Sequence, residues 1–456
     1  MSAAVETPIP VPAVRDAGGV RELVALAWPV ILTNLSSTLM MVADAAMVGR
    51  LGAAALGAVG YAGIWYWTAL SGFTGASNGV QTFVAQADGA GEPRRCGAWA
   101  WQGWYAIVPL ATLGLVAFAA GFAPLLALLA PDAALRPLAA DYVHARALGA
   151  PALMTAMVLA AFLRGVGDTR TPLYAMIAAN AVNLVLNYGL IFGHLGLPAW
   201  GVYGSGFATS AAEWLYAGCL LIAFRRAAVA RRYATRAAAP DAAAMRRLAR
   251  TSAPIAGQWW LDMLAFAAFT TVVARMGTSE MAATQAMISL MHLSLMVIVG
   301  VQVAVATLVG RYIGAGDLTA AARSRDSALR LGLTLSVVAA ALYLIAPDAC
   351  LRLFTSDAEV LRLGAPLLLV GAAFQISDAL GVLNGGALRG AGDTRWPFAV
   401  QTLLAWGLFL PAAWLFGTAL GGGLTGAWVG AVVYVVALGF ALHWRFSSGA
   451  WRRIRI

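Results

Sequence analysis

Long apolar stretches, separated by short polar or Gly- and Pro-rich breaks, run along almost the whole chain. Twelve of them are long enough for a helix of about 20 residues, the length that crosses the hydrocarbon core of a bilayer. They cover 24–49, 56–83, 98–122, 138–163, 172–193, 200–224, 249–275, 282–309, 326–346, 363–388, 397–417 and 424–445. The stretches are continuous rather than alternating, which argues against the strands of a membrane β-barrel. The pattern predicts an all-α polytopic membrane protein with twelve transmembrane helices.

The pattern also repeats. Leu163-Arg164-Gly165-Val166-Gly167-Asp168-Thr169-Arg170, with Pro172 two further on, recurs as Leu388-Arg389-Gly390-Ala391-Gly392-Asp393-Thr394-Arg395 with Pro397. Gly89-Ala90-Gly91 recurs as Gly314-Ala315-Gly316, Arg50-Leu51-Gly52 as Arg275-Met276-Gly277, and Pro29 as Pro254, all at an offset of 225. One constant offset at separated places marks a duplicated six-helix unit. Six is even, so both copies enter the membrane in the same sense. A pseudo-two-fold axis along the membrane normal then relates two six-helix lobes. The expected divisions are an N-terminal tail (1–22), an N-lobe (23–224), an Arg-rich linker (225–248), a C-lobe (249–446) and a C-terminal tail (447–456). The Gly-x-Gly-Asp-Thr-Arg motif reads as a tight turn, with Asp168 and Asp393 capping the following helices. A phosphate-cradling loop is the alternative, but full nucleotide motifs are absent.

Composition narrows the class. Of 456 residues 61% are hydrophobic and 11% charged, and mean hydropathy is +0.78. A soluble domain carries about 25% charged residues. A soluble globule and a disordered chain are both excluded. All 30 basic residues are Arg, and the net charge is +10. Such a charge can indicate nucleic acid, but its placement says otherwise. With the N-terminus inside, 24 Arg fall on the cytoplasmic side, eight of them in 225–250. Five fall outside (Arg50, Arg136, Arg275, Arg352, Arg362), and Arg146 lies within a helix. This predicts cytoplasmic termini in a bacterial-type inner membrane, and no nucleic-acid partner. The linker Arg residues also suit lipid headgroups.

Several other chemistries lack support. Glu6, Pro8, Pro10, Pro12 and Asp16 leave no apolar segment for a signal peptide. Cys96, Cys219 and Cys350 lie on separate segments and suggest no disulfide framework or metal site. His144, His194, His292 and His443 have no ligand spacing. Without paired His or a Ser-centred nucleophile motif, an enzyme is not expected.

Intramembrane acids carry the functional signal, because burying a charge in lipid is costly. Asp44, Asp141, Glu213, Asp262 and Asp378 fall in the predicted spans. Asp141 reads as interfacial, and Glu213 has no assigned role. Asp262 and Asp378 lie 12 and 11 residues from Arg250 and Arg389. Those separations are about 18 and 16 Å of helix, so both acids sit near the midplane. Gln258 and Gln375 precede them by four and three residues, on the same helix faces. Trp259 and Trp260 offer an aromatic wall for a lipophilic cation, or plain helix packing. Asp44 lies in the outer third of the first helix. Asn183 and Asn187 share a face of the fifth helix, and Thr209 is on the sixth. This oxygen set suits a hard cation or a proton relay; hydrogen-bonded glue between helices is the alternative. At the offset of 225, Asp44 maps to Phe269, Asp262 to Ser37 and Asp378 to Leu153. The scaffold is duplicated and the ionisable chemistry is not.

Trp28-Pro29-Val30-Ile31-Leu32, Val42-Ala43-Asp44 and Val48-Gly49-Arg50-Leu51-Gly52 resemble the first helix of the multidrug and toxic compound extrusion (MATE) family. Leu163–Arg170, Asn183–Asn187, Thr284-Gln285-Ala286, and Val309-Gly310-Arg311 with Gly314-Ala315-Gly316-Asp317 extend the resemblance over about 22–446. It implies a monomeric antiporter with a central cleft and no cofactor. Such a protein exports organic, often cationic, small molecules in exchange for Na⁺ or H⁺. By motif position, Asp44 matches the family's cation ligand, with Asn183, Asn187 and Thr209 beside it. Na⁺ would sit at Asp44, Asn183 and Asn187. Asp262 and Asp378 match acids of the NorM-like branch. The DinF-like branch typically has Asp where Asn187 stands, so the resemblance favours NorM-like. A lipid-linked saccharide flippase of the same superfamily is the alternative. The mostly acidic intramembrane charges disfavour it.

Overall fold

The structure, a computed structural model, describes residues 16–129, 135–352, 357–454 and 456. Residues 1–15 of the expected N-terminal tail (with Glu6, Pro8, Pro10, Pro12 and Arg15) and Arg455 lie outside the described residues. The N-terminal half contains α1 (Val20–Gly49), α2 (Ala53–Gly89), α3 (Pro93–Leu129), α4 (Leu135–Ala147), α5 (Ala150–Gly165), α6 (Arg170–Phe192) and α7 (Gly201–Arg225). A short α8 (Ala227–Tyr233) follows. The second half contains α9 (Ala242–Ala274), α10 (Thr278–Gly314), α11 (Leu318–Ile345), α12 (Pro347–Arg352), α13 (Ala358–Gly390), α14 (Arg395–Leu404), α15 (Leu410–Trp414) and α16 (Gly423–Ser447). No strand occurs among the described residues.

Nine of these helices, or ten spans when α4 and α5 are taken as one, are long and apolar enough to cross a membrane. In that count α14 and α15 form one span, Arg395–Ala419. Helices α2 and α9 complete the twelve, at 37 and 33 residues. They are less apolar for a physical reason. Gln81, Thr82 and Gln86 on α2 bond to residues of the second lobe, and Ser252 and Trp260 on α9 pack against α2. A face that meets another lobe need not match lipid.

Two expected helices differ in detail. The stretch 138–163 is not one helix: α4 and α5 meet at a 50° bend. Pro151 stands in the first turn of α5 and cannot continue an incoming helix. The stretch 397–417 contains two wider π turns, Ala405–Phe409 and Leu415–Ala419, flanking α15. Pro411 lies between them and has no N–H for the helical ladder.

Each lobe has its own core. Phe122, Met154, Phe162 and Phe224 are buried in the first. Leu308, Leu383 and Leu442, and separately Phe269, Phe409 and Trp428, fill the second. Helix α1 belongs to both. Its Leu23 and Ala27 pack with Val301 and Val305 of the second lobe, and its Val48 packs with Ala55, Ile191 and Val202 of the first.

The duplication is visible in backbone geometry. Gly167 and Gly392 adopt φ +86° and +83°, and their N–H groups donate to Arg164 O and Arg389 O. The turn is therefore the same in both lobes, but the two aspartates differ. Asp168 caps α6, accepting from Thr171 N at 3.0 Å and Thr171 Oγ1 at 2.6 Å. Asp393 accepts instead from Arg445 Nε on α16 at 2.8 Å. Trp396 occupies the place of Thr171 and supplies no hydroxyl, so the expected second cap is replaced by an ion pair.

Helix α11 meets the start of α1 and the end of α16. Ser327 Oγ donates to Gly18 O, and Arg325 Nη2 donates to Ser447 Oγ. Gly18 and Ser447 therefore lie on one face of the bundle, here called the terminal face. Near it the lobes are in backbone contact. A Cβ on Gly89 would lie 1.8 Å from Arg311 O, and one on Gly314 would lie 2.0 Å from Gln86 O. Toward the far face the seam parts. Gly57 meets only a Leu135 methyl of its own lobe, at 3.7 Å, and Gly60 has nothing within 4 Å. Ile64, on the seam side of α2, is 69% exposed.

The connection between lobes is docked rather than loose. Trp101 Nε1, Gln102 Nε2 and Tyr105 Oη on α3 donate to the carbonyls of Thr235, Ala239 and Ala238. Tyr233 is buried, and burial together with the Asp88 carboxylate pushes its phenol up to about 12. It therefore stays protonated. The eight Arg residues of 225–250 are all exposed.

Candidate functional site

In the first lobe, α1, α6 and α7 bring four expected residues together. Asn187 Nδ2 donates to Asp44 Oδ1 at 2.5 Å and to Asn183 Oδ1 at 3.0 Å. Thr209 Oγ1 lies 3.5 Å from Asp44 Oδ2, and Asn183 Nδ2 lies 3.4 Å from Thr209 Oγ1. Asn183 and Asn187 are 1% and 0% exposed. Asn187 Oδ1 is buried and has no hydrogen-bond partner. A buried amide oxygen left unpaired beside a carboxylate is a donor set that fits a hard cation. Helix α1 is registered against α6 by Asn180, whose Nδ2 donates to Ser36 O at 3.0 Å and Ser36 Oγ at 2.6 Å. Asn180, Asn183 and Asn187 form one helical stripe, and the first of them was missed from sequence.

A buried ion pair adjoins this cluster. Arg146 Nη1 lies 2.7 Å from Glu213 Oε1, and Tyr66 Oη donates to Arg146 O at 3.1 Å. The Arg146 guanidinium acts electrostatically on Asp44. The signal for it was available, since Arg146 is a cation inside an apolar run. Asp141 is exposed on α4.

The second lobe holds its acids differently. Gln401 Nε2 on α14 donates to Asp262 Oδ2, and Gln258 Nε2 donates to Gln401 Oε1. Asp378 on α13 is close enough to Asp262 for the two charges to interact, and Tyr434 on α16 faces both. Gln375 is buried one turn before Asp378. Gln401 and Tyr434 were not singled out from sequence; they come from helices whose packing no spacing rule reveals. Trp259 lies against Gly75 of α2. Trp260 donates Nε1 to Thr68 O at 3.0 Å and packs edge-on against Phe73. It is two residues from Asp262, about 200° around α9, and so belongs to the seam rather than to the carboxylate. No group of His, Cys, Asp and Glu able to hold a metal ion occurs among the described residues.

Two duplicated six-helix lobes, with polar carboxylate clusters and a seam between them, define a two-lobed polytopic membrane protein. The MatE family model matches residues 29–189 and 254–415, once in each lobe. A probable multidrug resistance protein NorM of Rhodopseudomonas palustris is 33% identical over 93% of this chain and 91% of its own length. A multidrug resistance protein NorM of Burkholderia vietnamiensis is 31% identical over 92% of each chain. Among solved structures, an outward-facing multidrug resistance MATE family transporter superposes with TM-score 0.87 at 18% identity, covering 95% of this chain and 97% of that one. A Vibrio cholerae MATE transporter gives 0.84 at 20% identity, covering 94% and 96%. The chain belongs to the MatE family, and it is a NorM-like transporter rather than an enzyme.

Proposed function

We propose that the chain is a multidrug efflux antiporter. It exports organic, often cationic, small molecules in exchange for Na⁺ or H⁺, by alternating access of its N-lobe (23–224) and C-lobe (249–446). The observation that carries this reading is the cluster of Asp44 with Asn183, Asn187 and Thr209, whose Asn187 Oδ1 is buried and unpaired. Asp44 is the cation ligand, and Na⁺ or a proton neutralises it. A bound cation shifts the equilibrium between lobe arrangements through its differential affinity for them. Asp262 and Asp378, with Gln258, Gln375 and Trp259, attract the cationic substrate or a second cation.

The Arg excess supports a bacterial-type inner membrane with both termini in the cytoplasm. The terminal face is then cytoplasmic, and the seam is closed inward and parted outward. The protein acts as a monomer in contact with lipid. Names of the curated relatives support drug export as the task. The test is drug transport in inverted vesicles under separately imposed Na⁺ and pH gradients. Gradient-driven transport by the native chain and a loss of at least about tenfold in Asp44→Asn are expected. Undiminished ion-driven transport by Asp44→Asn overturns the assignment.

A further inference from the structure

The polar cluster of the first lobe extends past Thr209. Glu213 follows Thr209 by four residues on α7, on the same face and about 6 Å away. Its partner Arg146 sits in the last turn of α4, where the chain bends into α5. The bend frees backbone carbonyls, and three are taken by side chains. Ser210 Oγ donates to Ala145 O at 2.7 Å, Tyr66 Oη to Arg146 O at 3.1 Å and Trp214 Nε1 to Leu148 O at 3.1 Å. The carboxylate is wedged into the same bend, where a Cβ on Gly149 would lie 2.1 Å from Glu213 Oε2. The guanidinium rests 5.0 Å from the centre of the Tyr66 ring. Both charged side chains are nearly buried, at 11% and 12% exposure. Glu213 Oε2 has no hydrogen-bond partner.

Stability does not account for such a pair. Its desolvation offsets its attraction, and apolar replacements are often neutral or better. The pair is held next to Asp44, a part-buried carboxylate whose hydrogen-bond partners, Asn187 and Thr209, are uncharged. Arg146 and Tyr142 of α4 lie within electrostatic reach of Asp44, which Asn187 of α6 and Thr209 of α7 contact directly, with Asn183 beside them and Glu213 one turn beyond Thr209. Tyr66 of α2 faces Arg146.

We propose that Arg146 and Glu213 are positioning residues of the cation site, a fixed charge pair whose balance sets how tightly Asp44 holds its cation. The inference rests on Asp44 being the cation ligand. Arg146 opposes a second positive charge, and Glu213 cancels most of that opposition. Whether the ion is Na⁺ or H⁺ does not matter, since the field acts on unit charge.

The two neutralisations therefore have opposite effects, which a merely structural role would not produce. Drug efflux is measured in proteoliposomes against Na⁺ at fixed pH and against pH at fixed Na⁺. Glu213→Gln leaves Arg146 uncompensated and raises the half-saturating cation concentration about tenfold. Arg146→Gln leaves Glu213 uncompensated and lowers it by a similar factor. The double variant shifts less than either. The reversed pair, Arg146→Glu with Glu213→Arg, keeps two paired charges and turns their dipole around, so half-saturation falls even where the single variants fail to fold. Shifts of the same sign in the two single variants, or an unmoved half-saturation in the reversed pair, overturn the proposal. Asp44→Asn run in parallel separates the two questions. If it keeps saturable cation dependence, the cation-ligand reading fails. If it loses that dependence while the pair variants shift nothing, only the pair's role fails.

Discussion

At the scale of single residues, one amide organises the second lobe's carboxylate. Gln401 donates to Asp262 and accepts from Gln258, so its two ends join α9 to α14. Gln401→Leu strands both partners, a loss of about 1–3 kcal/mol for buried groups. We expect a rise of about three- to tenfold in the half-saturating drug concentration, with the cation dependence set by the first lobe unchanged. Transport titrated with drug at saturating cation checks this. The paired aspartates of the repeated turn show how far residue identity carries. Asp168→Ala removes a helix cap and costs about 1 kcal/mol. Asp393 is 4% exposed and holds Arg445, so Asp393→Ala costs about 3 kcal/mol. Thermal unfolding in detergent should rank them in that order. The motif looked the same in both copies, and what separates them is Arg445, some fifty positions along the chain.

At the scale of elements, the closed part of the seam has the symmetry of the repeat. Thr82 Oγ1 on α2 donates to Arg389 O at 3.0 Å, and Thr307 Oγ1 on α10 donates to Arg164 O at 3.2 Å. Donor and acceptor are each displaced by 225 residues, so the two lobes grip each other by the same bond used twice. Close backbone approach makes this possible, as between helices that meet at small residues. Gly314→Ala places a methyl against the backbone of Gln86, where nothing flexible can yield. Overpacking of this kind costs about 1–3 kcal/mol. The arrangement closed at the terminal face should lose population, and efflux should fall about tenfold. Labelling of Ile64→Cys by a membrane-impermeant thiol reagent should fall with it. Gly60→Ala, with open space around it, is the control expected to leave both unchanged.

At the scale of the whole molecule, much was legible along the chain. Helical spacing and a constant offset are one-dimensional quantities. They suffice for the twelve spans, the duplication and the meeting of Asn183 with Asn187. Asp44 and Thr209 join that cluster because α1, α6 and α7 are neighbours within one lobe. The illegible parts depend on what a helix packs against. The bend after α4 follows from Pro151 and a wedged Glu213, the direction of Trp260 from the approach of α2, and the Gln401 bridge from a helix over a hundred residues away. The linker was legible only as a run of Arg, although α3 holds its backbone at three carbonyls. Those anchors sit on both sides of residue 236. Covalent continuity there is therefore dispensable, because each cut end stays tethered and the lobes still meet over the seam. Two separately encoded fragments, 1–236 and 237–456, should complement one another as a split transporter when co-expressed. Efflux at more than about a tenth of the intact level is the expected outcome, since tethering only raises effective concentration. Complementation measured in a pump-deficient host decides it, with silence from the co-expressed halves counting against a self-sufficient seam.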